Sequence, residues 1–352
     1  MDDIKVRGDI ATMEKVEKKQ LVTFILTAYG VTFVLGFLMW FFYGRGADLS
    51  VFPNAQMFYP AAGVMLAYLV TKKEDKNLPK PLFIFFILLT AVMILCAVLS
   101  VFVPLTMKSG EAEISVWMMA VQGLIILGSV IFWILLLTSG KERRAAYGLR
   151  GKNWKKSFLC ILLFFVLYSV RMGIGSAAAG QLEAFGAVWT DPVTWIYLLT
   201  IFLNFFLVVT AFFGEEYGWR YYLQPVMQKR FGLRGGVLLL GVVWGLWHLP
   251  IDFFYYTTPD MGLAACVSQQ ITCIFIGIFL AYVYMKTDNI WVPVAVHFLN
   301  NNLVPMFAGN YTADVLQEQT IHWGDLIPAL FLNLVIFGWF IFLKPFRAVK
   351  EK

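Results

Sequence analysis

Two adjacent glutamates, Glu215 and Glu216, end a long apolar stretch, and Arg220 follows them. A carboxylate in hydrocarbon is costly unless it is paired. Glu216 and Arg220 stand four residues apart with the acid first, the favourable order for an ion pair on a helix. Glu215 points about 100° away and has no charge partner nearby in the sequence. We therefore expect Glu216 and Arg220 to support the structure and Glu215 to act as a general base. The alternative is an acid pair that water solvates at the membrane surface.

The helix that carries these acids has a clear beginning in the sequence. Asp191 is suited to cap its N-terminus, and Pro192 fits the first helical position. We expect this helix to cross the membrane over about 192–213 and to end near the two glutamates. Gly214 and Gly218 would then present a small-residue face that another helix can approach closely.

His248 lies in the apolar segment Trp244-Gly245-Leu246-Trp247-His248-Leu249-Pro250. A neutral imidazole accepts or donates a proton near pH 7, and it is also the commonest metal ligand in proteins. Pro250 predicts a kink, and Asp252 is placed to support the histidine from a second layer. The alternative is a packed histidine that bonds a backbone carbonyl.

His297 and Asn301 stand four residues apart and so share one helix face. Their N–H groups would form a donor pair for an oxyanion. The alternative is polar contact between neighbouring helices. The third histidine, His322, falls in an outer loop, and we assign it no role.

These residues predict hydrolysis by activated water, because no serine or cysteine beside the motifs forms a nucleophile–histidine pair. Glu215 and His248 would polarise a water that attacks a carbonyl group. A zinc site built from Glu215, His248 and His297 is a second possibility. The sequence has no H-E-x-x-H motif, which disfavours zinc, and we expect no other cofactor.

The composition places these motifs in a membrane. The chain is 60% hydrophobic and 14% charged, with a mean hydropathy of +0.72. Soluble domains carry about 25% charged residues, and alternating barrel strands are absent from the pattern. The sequence therefore predicts an all-α, polytopic membrane protein of about ten transmembrane helices. The predicted spans are about 21–43, 55–71, 81–105, 113–138, 156–178, 192–213, 235–256, 262–285, 289–308 and 325–344.

Lysine and arginine concentrate on the cytoplasmic side of membrane proteins. Of the 28 such residues here, only Arg45, Lys108 and Arg171 fall on the outer side when both termini are cytoplasmic. This bias and attraction to anionic lipid explain the net charge of +6 without a nucleic-acid partner. The span boundaries place Glu215 near the inner surface and the histidines about 12–20 Å deep, a disagreement within the prediction.

A basic loop at about 138–157 divides the chain. We expect 1–138 to be an accessory membrane region of four helices and 139–352 to be the catalytic membrane region. All three motifs fall within about 190–305.

The ordered motifs E-E-x-x-x-R, aromatic-x-x-x-H and H-x-x-x-N resemble the type II CAAX prenyl endopeptidase and bacteriocin-processing (CPBP) family, which includes Abi-type immunity proteins. The family usually has phenylalanine where Trp244 stands. The resemblance implies a metal-independent, glutamate-type intramembrane protease. In it, Glu215 and His248 would activate water, while His297 and Asn301 would stabilise the oxyanion.

The implied substrate is a membrane-associated or lipidated protein or peptide, at a site open to the cytoplasm. We expect a bacterial cell membrane, and the oligomeric state stays open. Two other functions remain: a catalytically silent scaffold or immunity protein, and a transporter built from two inverted halves of five spans. The first five spans lack a counterpart of the polar cluster, which disfavours the transporter.

Overall fold

The computed structural model describes residues 2–110, 112–311 and 313–347, and most of them are helical. The α-helices, numbered along the chain, are α1 (Asp2–Ile25), α2 (Val31–Tyr43), α3 (Val51–Gln56), α4 (Tyr59–Thr71), α5 (Lys80–Phe102), α6 (Val116–Thr138), α7 (Lys141–Ala146), α8 (Trp154–Ala178), α9 (Leu182–Thr190), α10 (Pro192–Glu216), α11 (Gln224–Phe231), α12 (Leu233–Trp247), α13 (Leu249–Ile251), α14 (Gly262–Thr287), α15 (Trp291–Phe307) and α16 (Trp323–Ile336). Strands β1 (Thr106–Ser109) and β2 (Ala112–Ser115) form an antiparallel hairpin. The predicted all-α class is confirmed.

Three π-helical segments and three 3₁₀ turns complete the described elements. The π segments are Leu26–Gly30, Tyr217–Leu223 and Asp252–Tyr256, and the 3₁₀ turns are Ala313–Leu316, Gly338–Phe342 and Lys344–Phe346. Two of the π segments lie at predicted motifs: Tyr217–Leu223 begins directly after Glu216, and Asp252–Tyr256 begins two residues after Pro250.

Long apolar helices make this a multi-pass membrane protein, but the count of about ten is not confirmed. Among the described residues, six helices are long and apolar enough to cross a membrane, and a seventh if the bent pair α12 and α13 counts as one span. The predicted spans at 55–71, 289–308 and 325–344 correspond to α4, α15 and α16. These have 13, 17 and 14 residues, so each is about 20–26 Å long, less than the ~30 Å of hydrocarbon.

The α-helix of the first motif begins and ends as predicted, but helical backbone continues beyond it. The Asp191 carboxylate accepts the Val193 N–H at 2.8 Å, which confirms the cap. The α-helix α10 ends at Glu216, and the run then continues through the π-helical Tyr217–Leu223 and α11, so that Pro192–Phe231 forms one segment of 40 residues. The predicted end of the membrane segment at about 213 was too early, because the charged side chains that follow it are buried inside the protein. The run ends before Gly232, whose φ of 75° suits glycine.

The N-terminal helices pack directly on this segment. A Cβ atom on Gly214 would lie 2.3 Å from the Met57 carbonyl oxygen, and one on Gly218 would lie 2.3 Å from the Cβ of Pro60. The predicted close approach at these glycines is therefore confirmed, and the neighbour is the beginning of α4.

Gly214→Ala should destabilise the protein by about 1–3 kcal/mol, because the added methyl group meets backbone rather than a movable side chain. The measurement is thermal unfolding of the purified protein in detergent. Gly123→Ala is the matched control, since that glycine lies inside α6 with no atom within 4 Å of the new Cβ. Equal unfolding temperatures for the two variants would contradict the close approach.

The predicted inner segments contact one another and so lie at one end of the helix bundle. Each contact joins two segments that the charge pattern places inside. The pairs are Glu17 with Lys229, Asp75 with Tyr147, and Lys152 with Asp288. Residues 348–352, which include the predicted cytoplasmic C-terminus, lie outside the described residues.

We expect this end of the bundle to face the cytoplasm. In a background without native cysteines, Arg143→Cys should react with a membrane-impermeant thiol reagent only after cells are opened. Lys108→Cys, on the predicted outer side, is the control and should react in intact cells. Reaction of residue 143 from outside would reverse the topology.

Candidate active site

The site contains a buried ion pair between Glu216 and Arg220. The Arg220 Nε donates to Glu216 Oε2 at 3.0 Å, and both side chains are 0% exposed. The pair predicted from the spacing is confirmed. The other carboxylate oxygen bonds Nδ1 of His297 at 2.8 Å, a contact between residues 81 positions apart that local spacing could not reveal. Glu216 therefore joins the first motif to the third.

Glu215 lies deep in the protein, in the last turn of α10. Its side chain is 3% exposed, and its Oε2 accepts the indole N–H of Trp244 at 2.9 Å. Among the described residues, no lysine, arginine or histidine forms a salt bridge with it, as predicted. Helical backbone continues for 15 residues beyond Glu216, to Phe231, so the end of α10 does not by itself mark the membrane surface.

Trp244 is the centre of the site, although the sequence presented it only as a departure from the family pattern. Its ring centroid lies 5.9 Å from that of His248 and 5.5 Å from that of His297. The Arg220 guanidinium carbon lies 4.6 Å from the same ring. A buried indole N–H needs an acceptor, and this requirement was the signal that could have linked Trp244 to Glu215.

His248 occupies the break between α12 and α13, which are bent by 45°. The kink predicted from Pro250 is thus confirmed. The Nδ1 of His248 lies 2.9 Å from the Trp244 carbonyl oxygen. Because a carbonyl oxygen only accepts, Nδ1 carries the hydrogen, and in the neutral ring Nε2 keeps a lone pair that can accept a proton.

The predicted support of His248 by Asp252 was wrong. The Nδ1 of the histidine already bonds the backbone, and no hydrogen bond joins the two side chains in the described residues. Asp252 is buried beside the Cys266 thiol instead, with its Oδ2 lacking a hydrogen-bond partner. The Cys273 sulfur lies 3.9 Å from Nδ1 of His248.

Asn301 lies one turn beyond His297 on α15 and is half-buried. Its Oδ1 accepts the Asn300 side-chain amide at 3.0 Å, and its own amide nitrogen is not used in that bond. The structure therefore brings Glu215, His248 and His297 around one indole. In the described part of the chain, Asn301 forms no hydrogen bond to this group.

Metal ligation is not evident in the geometry. Within residues 2–110, 112–311 and 313–347, no three histidine, cysteine, aspartate or glutamate side chains are arranged to hold a metal ion. Each member of the set proposed for zinc contacts the Trp244 side chain; the set is Glu215, His248 and His297.

The N-terminal helices hold the turn that carries His248, and nothing in the sequence suggested this. The Gln56 side chain donates to the Trp247 carbonyl at 3.1 Å, and the Trp247 indole donates to the Ala28 carbonyl at 2.9 Å. The Tyr29 hydroxyl donates to the carbonyl of Val243. A bend disturbs the helical hydrogen bonds around it, and partners from other segments satisfy the carbonyls there.

Comparison with known proteins agrees with the resemblance found in the sequence. Residues 194–303 match the family model "Type II CAAX prenyl endopeptidase Rce1-like", and every predicted site residue falls in that range. The chain is also 27% identical over 146 residues to CAAX prenyl protease 2 of Methanococcus maripaludis, a match that covers 40% of this chain and 50% of that protein. The chain thus spans about half the length of this curated relative. No solved structure matches it significantly.

Proposed function

We propose that the protein is a glutamate-type intramembrane endopeptidase that works without a metal ion. The observation that carries this proposal is the buried, unpaired carboxyl of Glu215, held by Trp244 between two histidines. Its location inside the segment that matches a prenyl endopeptidase model supports peptide hydrolysis over the other functions considered.

In the proposed reaction, a water molecule lies between Glu215 and Nε2 of His248. Its oxygen attacks the scissile carbonyl carbon while Glu215 takes one proton, which later passes to the leaving amine as the C–N bond breaks. No covalent bond to the enzyme forms. The second proton of the water leaves the new acid group and is taken up by the new amine, so the products are a carboxylate and an ammonium group.

His297 and Asn301 would stabilise the oxyanion that forms on the carbonyl oxygen. Because Nδ1 of His297 donates to Glu216, donation from Nε2 as well requires the ring to be an imidazolium. The positive charges of His297 and Arg220 then balance the negative charges of the two ionised glutamates. Glu216 therefore does more than support the helix: it holds the proposed oxyanion donor in place.

The proposed substrate is a membrane-associated or lipidated protein or peptide that enters from the inner end of the bundle. The name of the Methanococcus relative, a CAAX prenyl protease, favours a substrate cleaved near a prenylated cysteine. The test is mass spectrometry of prenylated and unprenylated peptides incubated with the purified protein in lipid vesicles.

Alanine at Glu215 and alanine at His248 should each abolish most of this cleavage, and the double variant should be little worse than either single one. Residues that act on one transition state lose their effect together. Cleavage should survive dialysis against a chelator, which tests the zinc alternative. His322→Ala is the control, because that histidine is exposed and outside the site. If the rate loss of the double variant equalled the product of the two single losses, Glu215 and His248 would act independently. A folded wild-type protein that cleaves no peptide would favour the silent scaffold.

A further inference from the structure

A row of polar side chains leads away from the site along one face of the long helix. Its members follow one another at intervals of four residues, and the last lies next to the exposed Lys229. They are Glu216, Arg220, Gln224 and Gln228. The first three are buried and Gln228 is half-buried, so the row connects the site with the inner end of the bundle.

Hydrogen bonds join the row at both ends. Glu216 bonds Arg220 at 3.0 Å, and the Gln224 amide nitrogen lies 3.4 Å from Gln228 Oε1. The amide nitrogen of Gln228 donates to the Leu233 carbonyl at 3.1 Å, where α12 begins. The first residue of α12 therefore contacts the Gln228 end of the row.

The middle of the row is interrupted, and the interruption leaves complementary groups unpaired. In the described part of the chain, Nη1 and Nη2 of Arg220 and Oε1 of Gln224 are buried without hydrogen-bond partners. They are three of the six such atoms found, which makes this the largest group of them. The nitrogens only donate and the oxygen only accepts, so one water molecule can satisfy both sides, as buried waters usually do.

The proposed hydrolysis gives such a water a use, and the inference rests on that proposed function. Each cleavage consumes one water, yet Glu215, His248 and His297 are each at most 5% exposed as whole residues. The surrounding lipid hydrocarbon contains almost no water, so the consumed water must be supplied by another route. We propose that Arg220 and Gln224 hold a buried water between them, and that the row from Gln228 to Glu216 is the route by which water reaches Glu215.

Footprinting with hydroxyl radicals generated from water in situ tests this directly, because it labels side chains beside bound water. The protein in lipid nanodiscs should show oxidation of Trp244, whose ring lies over Arg220, well above that of Trp247. Both indoles are buried, but the Trp247 indole donates to the Ala28 carbonyl and not to a residue of the site, so Trp247 serves as the internal control.

Gln224→Met removes the acceptor at nearly constant size and should lower Trp244 oxidation several-fold. Gln224→Glu keeps an acceptor oxygen, so Trp244 oxidation in this variant should stay close to that of the unmodified protein. Gln228→Leu, at the half-buried end of the row, should also lower Trp244 oxidation. It replaces Gln224→Met in the test if that variant folds poorly. The matched control is Gln20→Met, a buried glutamine that bonds Thr71 and should leave Trp244 oxidation unchanged.

In cleavage assays, Gln224→Met should lower kcat at least about five-fold with little change in KM, because the row does not contact the substrate. Equal oxidation of Trp244 and Trp247 in the unmodified protein, or no change on Gln224→Met, would overturn the water route. If oxidation follows the prediction while no peptide is cleaved, the route stands and the proposed protease function is wrong.

Discussion

Glu215→Gln is expected to lower kcat for peptide cleavage by about 10²–10⁴-fold, the usual contribution of a positioned general base. Glutamine cannot take the proton from water. Its side-chain oxygen can still accept the Trp244 N–H, which lies 2.9 Å from the glutamate oxygen, so the fold should be kept. The measurement pairs single-turnover cleavage with thermal unfolding of the same preparation.

The control for this variant is Glu113→Gln, an exposed acid in the hairpin far along the chain from the motifs. It should change neither rate nor stability. Glu215→Gln that cleaves at the normal rate would remove Glu215 from the mechanism. A larger loss of stability for Glu215→Gln than for Glu216→Gln would show that the roles of the two acids are reversed.

Glu216→Gln should destabilise the protein by about 3–5 kcal/mol, the typical effect of removing one partner of a buried ion pair. Arg220 is 0% exposed, and without the carboxylate its charge stays buried and uncompensated. The variant should also lose cleavage, because His297 loses the negative charge that stabilises its proposed imidazolium form. Denaturant unfolding in mixed micelles and folded yield report the first effect.

The double variant Glu216→Leu, Arg220→Met separates a charge effect from a packing effect. Replacing a whole buried ion pair by apolar residues is often neutral, so the double variant should unfold at a higher denaturant concentration than Glu216→Gln alone. It should remain inactive, since His297 is still without its carboxylate. A double variant less stable than the single one would show that the pair contributes through its shape and not through charge compensation.

Features that depend on near neighbours were predictable from the sequence. The Glu216–Arg220 pair and the Asp191 cap need only residues within one turn of a helix. The bend at Pro250 follows from the missing N–H and the ring of proline. Backbone approach at Gly214 follows from its lack of a side chain, although the sequence could not name Met57 as the neighbour.

Features that depend on residues far apart in the sequence were not predictable. Charged residues after an apolar stretch usually indicate the membrane surface, but here Glu216 has partners at both oxygens and the helix continues beyond it. The link from Trp244 to Glu215 joins two helices whose packing no local pattern encodes. Hydropathy also counts short buried helices such as α4 as spans, because burial in protein and burial in lipid select the same residues.

The bonds from the first helices to the turn that carries His248 bear on how the chain is made. They join residues 191 to 219 positions apart. During synthesis the Gln56 amide and the Tyr29 hydroxyl enter the membrane long before their acceptors exist, and unpaired polar groups are unstable in hydrocarbon. The early helices therefore need temporary partners, from water, lipid headgroups or the insertion machinery, until α12 arrives. Assembly of the N-terminal region is completed only by the segment that brings His248.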